Sequence, residues 1–308
     1  MFLFPPERII NLFLIGFYNS LKRKILRLNI LNFKLNKNKK QKKSDIYIIH
    51  HLACTGGSLI SKIIRDNFNC ILVSEINPGY AFGTYSFTPH NLLSQFSYSS
   101  KKPLKTFRKA IEIYNSCIDF CLRNIEENQF LVIRDWSEGD FYVDKILPHN
   151  CSSREWIDAK KYSINSIVTV RHPIESFISK VKNNWENIDN KNALEIYCRR
   201  YLDFLNHYEG SEIIYYENIC SNYESEFIKI SKIWGQKIKK VKLPSSKKIS
   251  GDSGRSSLKI SLRPSKNINK EIKNQMKDSI SYINLCNKLG YNPYIKGNTK
   301  DFFVEAKL

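Results

Sequence analysis

Short β-branched runs alternate along residues 45–294 with longer segments of helical period. The predicted strands cover residues 46–50, 70–73, 129–134, 165–170 and 212–216. The predicted helices, in which apolar residues recur three and four positions apart, cover 58–67, 89–97, 106–127, 173–184, 191–208, 219–234 and 267–289. Strands separated by helices are typical of a parallel sheet with helices on both faces. We therefore predict a three-layer α/β/α fold with a central parallel sheet.

The turn after the first predicted strand has the composition of an anion-binding loop. It reads Cys54-Thr55-Gly56-Gly57-Ser58, and the helical pattern starts at Leu59. Such a turn directs backbone N–H groups and a helix N-terminus at one point, where a phosphate or sulfate is stabilised. No Gly-Lys-Ser/Thr follows, so this is not a Walker loop. The alternative is an ordinary strand-to-helix turn with Ser58 as the N-cap.

A second candidate anion site follows the strand predicted at 165–170. This strand ends at Arg171, Pro173 suits the first turn of a helix, and Ser179 lies about two turns along that helix. Arg171 and Ser179 could together hold one phosphate group. The alternative is that Arg171 forms a surface ion pair and Ser179 has no binding role.

Together the two segments resemble the sulfotransferases that use 3′-phosphoadenosine 5′-phosphosulfate (PAPS). The resemblance covers roughly residues 45–291 and implies a P-loop-related fold. It implies that the loop from Cys54 to Leu59 holds the 5′-phosphosulfate, and that Arg171 and Ser179, with the family's spacing of eight, hold the 3′-phosphate. Segment 213–219 looks like the family's element near the adenosine, and 250–257 looks like its late Gly/Arg loop. This adds Tyr216, Gly254 and Arg255 to the implied cofactor-binding residues.

One departure from the family concerns the first loop position. The family usually carries Lys or Arg there, where it stabilises the leaving phosphate oxygen, and this chain has Cys54. Either activity is reduced or another cation serves, with Lys62, Arg134 and Arg255 as candidates. A bacterial subgroup whose loop reads His-His-Leu-Ala-Cys-Thr-Gly-Gly is also similar, so His50 or His51 could supply a donor. The alternative is that at least one of these histidines is buried and hydrogen-bonded.

Three residues are candidates for the base that deprotonates an acceptor hydroxyl. In sulfotransferases the loop after the third strand carries this base, and here that loop contains Asp135 and Glu138. Asp135 directly follows Arg134, whose charge would hold it ionised and make it a poorer base. Glu138 lies four residues beyond the strand, far enough to turn back over the sulfate. His51 is the third candidate.

The net charge of +20 is not spread evenly along the chain. Residues 1–44 hold eleven Lys/Arg against one acid, residues 229–300 hold eighteen against three, and residues 45–228 hold nineteen against twenty-three. The C-terminal excess surrounds Gly254 and Arg255, as expected for binding a polyanion. No recognition helix with interleaved base-reading side chains is evident, so we expect no nucleic-acid partner.

The same distribution predicts a basic N-terminal extension, 1–44, ahead of one domain at 45–308. The apolar run at 9–18 is too short to span a bilayer, which needs ~20 residues, but with its basic flank it could lie on a membrane surface. Packing on the domain is the alternative. Eight scattered cysteines without metal-ligand spacing indicate a reduced, cytoplasmic protein, and no metal site is expected.

The preferred hypothesis is a PAPS-dependent sulfotransferase that acts on a hydroxyl of a saccharide or glycolipid. A nucleotide kinase or other P-loop phosphotransferase is the alternative enzyme, although the Walker lysine is missing. A non-enzymatic alternative is a basic protein that binds a membrane surface or nucleic acid. The acceptor cannot be deduced from the sequence, because acceptor pockets are built from variable loops.

Overall fold

The computed structural model describes residues 44–76, 103–141, 153–238, 262, 268–294 and 302–303. The chain divides into the units Met1–Ser44 and Asp45–Leu308, and the second unit contains the sheet and its helices. Three predictions lie outside the described residues. They are the surface role of residues 1–43, the helix at 89–97, and the loop that carries Gly254 and Arg255.

A five-stranded sheet forms the centre of the domain, in the spatial order β2-β3-β1-β4-β5. The pairs β1–β3, β2–β3 and β4–β5 are parallel. The strands are β1 Ser44–His51, β2 Cys70–Ile76, β3 Phe130–Trp136, β4 Tyr162–Val170 and β5 Glu212–Tyr215. This architecture confirms the predicted fold class, and it places β1 at the middle of the sheet.

Helices occupy most of the connections between strands. In the described part of the chain they are α1 Gly57–Asn67, α2 Pro103–Asn124, α3 Glu138–Phe141, α4 Ser153–Trp156, α5 Pro173–Lys182, α6 Ala193–His207, α7 Tyr216–Trp234, α8 Lys270–Asp278 and α9 Ile280–Leu289. Pro173 stands at the start of α5 as predicted, where its missing N–H costs no hydrogen bond.

The central strand is buried on both faces, which explains its continuous apolar run. Tyr47 and Ile49 pack with α1 and α7 on one face. Ile46 and Ile48 pack with α2 and α4 on the other. Successive side chains of a strand point to opposite faces, so a strand covered by two helical layers needs apolar residues at every position.

Two helices differ from their predicted form. The segment predicted as one helix over 267–289 is broken at Ser279, whose extended backbone ends α8 while its hydroxyl accepts the N–H of Tyr282 at 3.0 Å and so caps α9. Helix α7 begins at Tyr216, directly after β5, and is kinked at Asn222. The side chain of Asn222 accepts the N–H of Ser225 at 3.2 Å, a local bond that competes with the helix.

Within the described ranges, no helix is both long and apolar enough to cross a membrane. A search of the same ranges finds no group of three or more His, Cys, Asp or Glu side chains that could hold a metal ion. The seven cysteines that the structure describes are all free thiols.

Candidate functional site

The candidate site lies at the carboxyl edge of the sheet. The loop 52–56 leaves the central strand β1, Glu138 follows β3 on one side, and Arg171 follows β4 on the other. Tyr216 follows β5, the next strand outward. Ligands of parallel sheets bind beyond this edge, where the strand order diverges from a central strand.

The two glycines of the loop allow two rings to approach its backbone closely. Gly56 has a left-handed φ of +96°, and a Cβ added there would lie 2.4 Å from Cδ2 of Tyr216. A Cβ on Gly57 would lie 2.6 Å from the imidazole of His51. Helix α1 starts at Gly57, one residue earlier than predicted, and no side chain of the described residues caps it. Gly56 therefore takes the N-cap position that Ser58 was considered for, and the first N–H groups of α1 remain available to an anion.

The structure brings the two predicted anion segments together. Nη1 of Arg171 donates to the carbonyl oxygen of Cys54 at 3.2 Å, and the hydroxyl of Ser179 lies close enough to the Cys54 thiol to lower its pKa. Cys54 itself has a left-handed φ of 66°, which turns the loop toward α5. Burial raises the pKa of the Cys54 thiol, and the Ser179 hydrogen bond and the charge of Arg171 only partly offset this, so the thiol stays neutral.

The guanidinium of Arg171 lies between polar and aromatic neighbours. Its Cζ is 4.9 Å from the ring centroid of Tyr216, and Nη2 is 3.5 Å from the carboxylate of Glu175. The backbone N–H of Arg171 donates to the hydroxyl of Tyr201 at 3.1 Å. These contacts anchor the residue at the strand end and leave further guanidinium donors for a ligand.

A buried lysine that the sequence analysis missed completes the charged part of the site. The side chain of Lys180 is 2% exposed, and its ammonium forms ion pairs with Glu138 and, at 3.2 Å, with Glu186. The other oxygen of Glu138, Oε2, accepts the backbone N–H of Ala53 at 2.9 Å. Glu138 therefore lies against the loop, and its position over a sulfate stays a prediction. One signal pointed to Lys180, because it directly follows Ser179 and lies three residues after the buried Phe177, on the core face of α5.

His51 is a buried, fully hydrogen-bonded histidine. Its Nδ1 donates to the carbonyl oxygen of Leu52 at 3.1 Å, and its Nε2 accepts from Nε of Arg134 at 2.9 Å. Burial, helped by the positive charge of Arg134, lowers the pKa of His51 to about 3. Both ring nitrogens are occupied, so the ring has no free lone pair for an acceptor proton. This geometry argues against His51 as the base.

The guanidinium of Arg134 is hydrogen-bonded to neighbouring side chains of the protein. Besides His51, it donates to Ser74 at 3.0 Å and pairs with Glu75 at 2.9 Å. A bulge in β2 at Ser74–Ile76, with Glu75 at a φ of 58°, lets both of these side chains reach it. Arg134 therefore anchors the edge of the sheet. Arg255, another cation considered for stabilising the leaving phosphate oxygen in place of a Lys or Arg at position 54, lies outside the described residues.

Asp135 belongs to a buried network on the opposite face of the sheet. Its Oδ2 accepts from His50 at 2.8 Å and from Ser137 at 2.7 Å, and Oδ1 accepts from Ser153. Burial alone would raise the pKa of Asp135, but the hydrogen bond and charge of His50 outweigh it, so the pKa lies below its usual value. The sequence analysis expected the charge of Arg134 to hold Asp135 ionised, but His50 has this effect instead. Consecutive side chains of β3 point to opposite faces, so Arg134 and Asp135 do not face each other. This geometry disfavours Asp135 and leaves Glu138 as the candidate base.

The residue after Tyr216, Glu217, fixes the start of α7 through two hydrogen bonds. The carboxylate of Glu217 accepts the N–H of His172 at 2.9 Å and the hydroxyl of Tyr291 at 2.6 Å. Burial raises the pKa of Glu217 above its ordinary value. This bond set ties the start of α7 to the start of α5, so the Tyr216 ring is held against both Gly56 and Arg171. Tyr216 thus contacts Gly56 and Arg171 in the structure. Binding of a nucleotide by Tyr216 and by Leu59 stays a prediction.

Comparison with known proteins gives structural neighbours only. No family model and no curated protein matches the chain. It is similar to the solved sulfotransferase domain of the Synechococcus PCC 7002 olefin synthase (18% identity, 82% of this chain and 98% of that chain, TM-score 0.45). It is also similar to the sulfotransferase domain from the curacin biosynthetic pathway (12%, 82% and 99%, 0.47) and to a sulfotransferase from Alicyclobacillus acidocaldarius (10%, 80% and 96%, 0.47). At these identities and TM-scores the similarity does not bear on the function of this chain.

The glycine packing leads to a first prediction. Gly56→Ala should lower the free energy of unfolding by about 2–5 kcal/mol, since it adds an overpacking cost of ~1–3 kcal/mol to the strain of a left-handed Ala, ~1–2 kcal/mol. Gly210→Ala is the matched control, because Gly210 has a similar φ of +82° and open space around it. Urea unfolding of both variants measures the difference. Equal losses of unfolding free energy in the two variants would show that the contact of Gly56 with Tyr216 does not add to the cost of the substitution.

A second prediction concerns pH. The folded pKa of His51, about 3, lies below its unfolded value of 6.5, so only the unfolded chain takes up this proton as the pH falls below 6.5. The free energy of unfolding should therefore decrease between pH 7 and pH 5 by up to ~1.4 kcal/mol per pH unit from this residue. His51→Gln, which keeps one donor and one acceptor, should have a shallower slope in urea unfolding at pH 7.0, 6.0 and 5.0. Parallel curves for the two proteins would contradict the assignment.

Proposed function

We propose that this chain is a PAPS-dependent sulfotransferase that transfers a sulfuryl group to a hydroxyl of a saccharide or glycolipid. The observation that supports it best is the convergence of the two anion segments at one end of the sheet. Arg171 and Ser179 both contact Cys54, the first residue of the Cys-Thr-Gly-Gly-Ser turn. A donor with one phosphate on the ribose and a phosphosulfate at the other end needs two adjacent anion sites of this kind.

The hydrogen-bond donors of the two sites indicate which part of the ligand each would bind. Arg171, with its planar fork of N–H groups, and Ser179 would bind the 3′-phosphate. The uncapped start of α1 and the loop N–H groups would bind the 5′-phosphosulfate. The rings of Tyr216 and His51 occupy the space that a Cβ of Gly56 or Gly57 would fill, and they hold the loop in this position.

Sulfuryl transfer needs positioning and charge stabilisation more than covalent catalysis. The acceptor oxygen attacks sulfur in line, the bond from sulfur to the phosphate oxygen breaks, and the hydroxyl proton passes to a base. Donors that are already aimed at the leaving phosphate oxygen stabilise the charge that develops there. We assign the base to Glu138, whose carboxylate accepts the Ala53 N–H at the start of the loop. It would contribute about 10²–10⁴-fold to the rate.

Product analysis tests the activity directly. The full chain is incubated with PAPS labelled in its sulfate and with a panel of glycans and glycolipids, and mass spectrometry then detects any product heavier by one sulfuryl group. Transfer in the presence of EDTA supports the sulfotransferase. Phosphoryl transfer from a nucleoside triphosphate that requires Mg²⁺ would instead indicate a kinase. Salt-sensitive nucleic-acid binding without nucleotide affinity would indicate a binding protein.

A third prediction concerns recognition of the 3′-phosphate. Arg171→Ala should weaken binding of the desulfated product, 3′,5′-ADP, by roughly 1.5–3 kcal/mol, the range for a hydrogen bond to a charged group. Binding of 5′-AMP should change much less, because it lacks the 3′-phosphate. Calorimetric titration in EDTA measures both ligands. Arg65→Ala removes an equally large cation from the other end of α1 and should change neither affinity. Equal losses for both nucleotides would mean that Arg171 acts through the loop.

A fourth prediction concerns the acceptor. Trp185 is 53% exposed, and its backbone N–H donates to the carbonyl oxygen of Lys180 at 2.9 Å, so the residue follows α5 directly at the end that carries Lys180. A sugar ring packed on this indole should lose contact energy in Trp185→Ala, raising the acceptor KM by about 2- to 12-fold for ~0.5–1.5 kcal/mol. The KM for PAPS should stay the same. Phe120→Ala removes an exposed aromatic of α2 as the control. An unchanged acceptor KM would exclude this surface.

A further inference from the structure

The ammonium group of Lys180 lies in the protein interior, where the loss of hydration makes a charge unfavourable. Its side chain is almost completely buried, and its Nζ lies 5.5 Å from the ring centroid of Tyr197. A buried lysine must be paired, and Lys180 has two carboxylate partners, Glu138 and Glu186, on its exposed side. Glu138 is 12% exposed and Glu186 is 20% exposed, so both partners are closer to solvent than the lysine is.

Glu138 is bound in the way that an anionic ligand would be. One oxygen of its carboxylate pairs with Lys180, and the other accepts the N–H of Ala53 at 2.9 Å. That N–H belongs to the residue before Cys54, at the start of the anion loop. A cation and a backbone N–H that share one carboxylate offer the same two donors to two oxygens of a sulfate or phosphate.

The local charge balance makes Glu138 the partner that can leave. Lys180, Glu138 and Glu186 together carry one positive and two negative charges. A further anion beside Lys180 would be repelled by these two carboxylates unless one of them moved away. Removing the only partner of a buried ion leaves an uncompensated charge, which is strongly unfavourable. Here Glu186 would still neutralise Lys180, so the departure of Glu138 does not create a bare buried charge.

We propose that Lys180 and the Ala53 N–H form an anion subsite that Glu138 fills as an internal counterion until a sulfate or phosphate group of the ligand displaces it. The identity of that ligand as PAPS rests on the proposed function, whereas the subsite rests on the contacts of Lys180. The subsite supplies the loop with the positive charge that Cys54 does not carry. Displacement also frees both carboxylate oxygens of Glu138, which are occupied by donors before the ligand binds.

Matched charge-removing variants test the subsite in the full chain. Glu138→Gln and Glu186→Gln both remove one negative charge beside Lys180, but only Glu138 contacts the loop N–H. Titration calorimetry in EDTA at constant ionic strength uses two probes, inorganic sulfate and 3′,5′-ADP. Glu138→Gln should bind both probes about 3- to 10-fold more tightly than the wild type. Glu186→Gln should stay within about 2-fold of the wild type, and Lys180→Met should weaken both by 10-fold or more.

The amide resonance of Ala53 provides a readout that does not depend on the folding of Lys180→Met. In the wild type, titration with sodium sulfate should shift this resonance with the same affinity as in calorimetry, and sodium chloride at equal ionic strength should not. An unmoved Ala53 amide, or equal effects of Glu138→Gln and Glu186→Gln, would overturn the subsite.

The two proposals fail separately. If 3′,5′-ADP does not bind the wild type but sulfate does, with the expected response to Glu138→Gln, then the proposed function is lost and the subsite stands. If 3′,5′-ADP binds and neither Glu138→Gln nor Lys180→Met changes its affinity, the subsite is wrong and the sulfotransferase proposal is unaffected.

Discussion

The packing of two consecutive glycines against two rings is the contact on which the candidate site depends. Gly56 lies under the ring of Tyr216 and Gly57 under that of His51, at distances that leave no room for a Cβ. Each ring is in turn fixed by a charged partner, Arg171 for Tyr216 and Arg134 for His51. The position of the loop is therefore set by side chains that lie in β3 or directly follow β4 and β5, and not by the loop's own sequence alone.

Buried charges organise the rest of the site, and each of them is compensated. Arg134 is held by Ser74 and Glu75, and Glu217 is held by the N–H of His172 and the hydroxyl of Tyr291. Such networks constrain geometry more than they add stability, because desolvation opposes much of the attraction. The Lys180 cluster differs from them, since one of its two carboxylates also bonds the anion loop. This difference is the reason to regard it as part of a binding site.

The two faces of the sheet separate groups that are adjacent in sequence. His50 and Asp135 pair on one face through the register of β1 and β3, and His51 and Arg134 pair on the other. Side-chain alternation along a strand imposes this separation. It holds Asp135 and His51 in hydrogen bonds within the sheet, whereas Glu138, which follows the strand, bonds the loop and Lys180.

The sequence by itself determined the fold class, the position of the candidate anion loop and the Arg171–Ser179 spacing. Each of these is carried by a local pattern, such as a β-branched run, a Gly-Gly turn or a proline at a helix start. The break at Ser279 and the pairing of Asp135 with His50 depend on packing and register between segments far apart in the chain. Only the tertiary structure decided that Lys180, Glu138 and Ala53 meet, because the lysine and the carboxylate are 42 residues apart and come together only where α5 and β3 reach the same edge of the sheet.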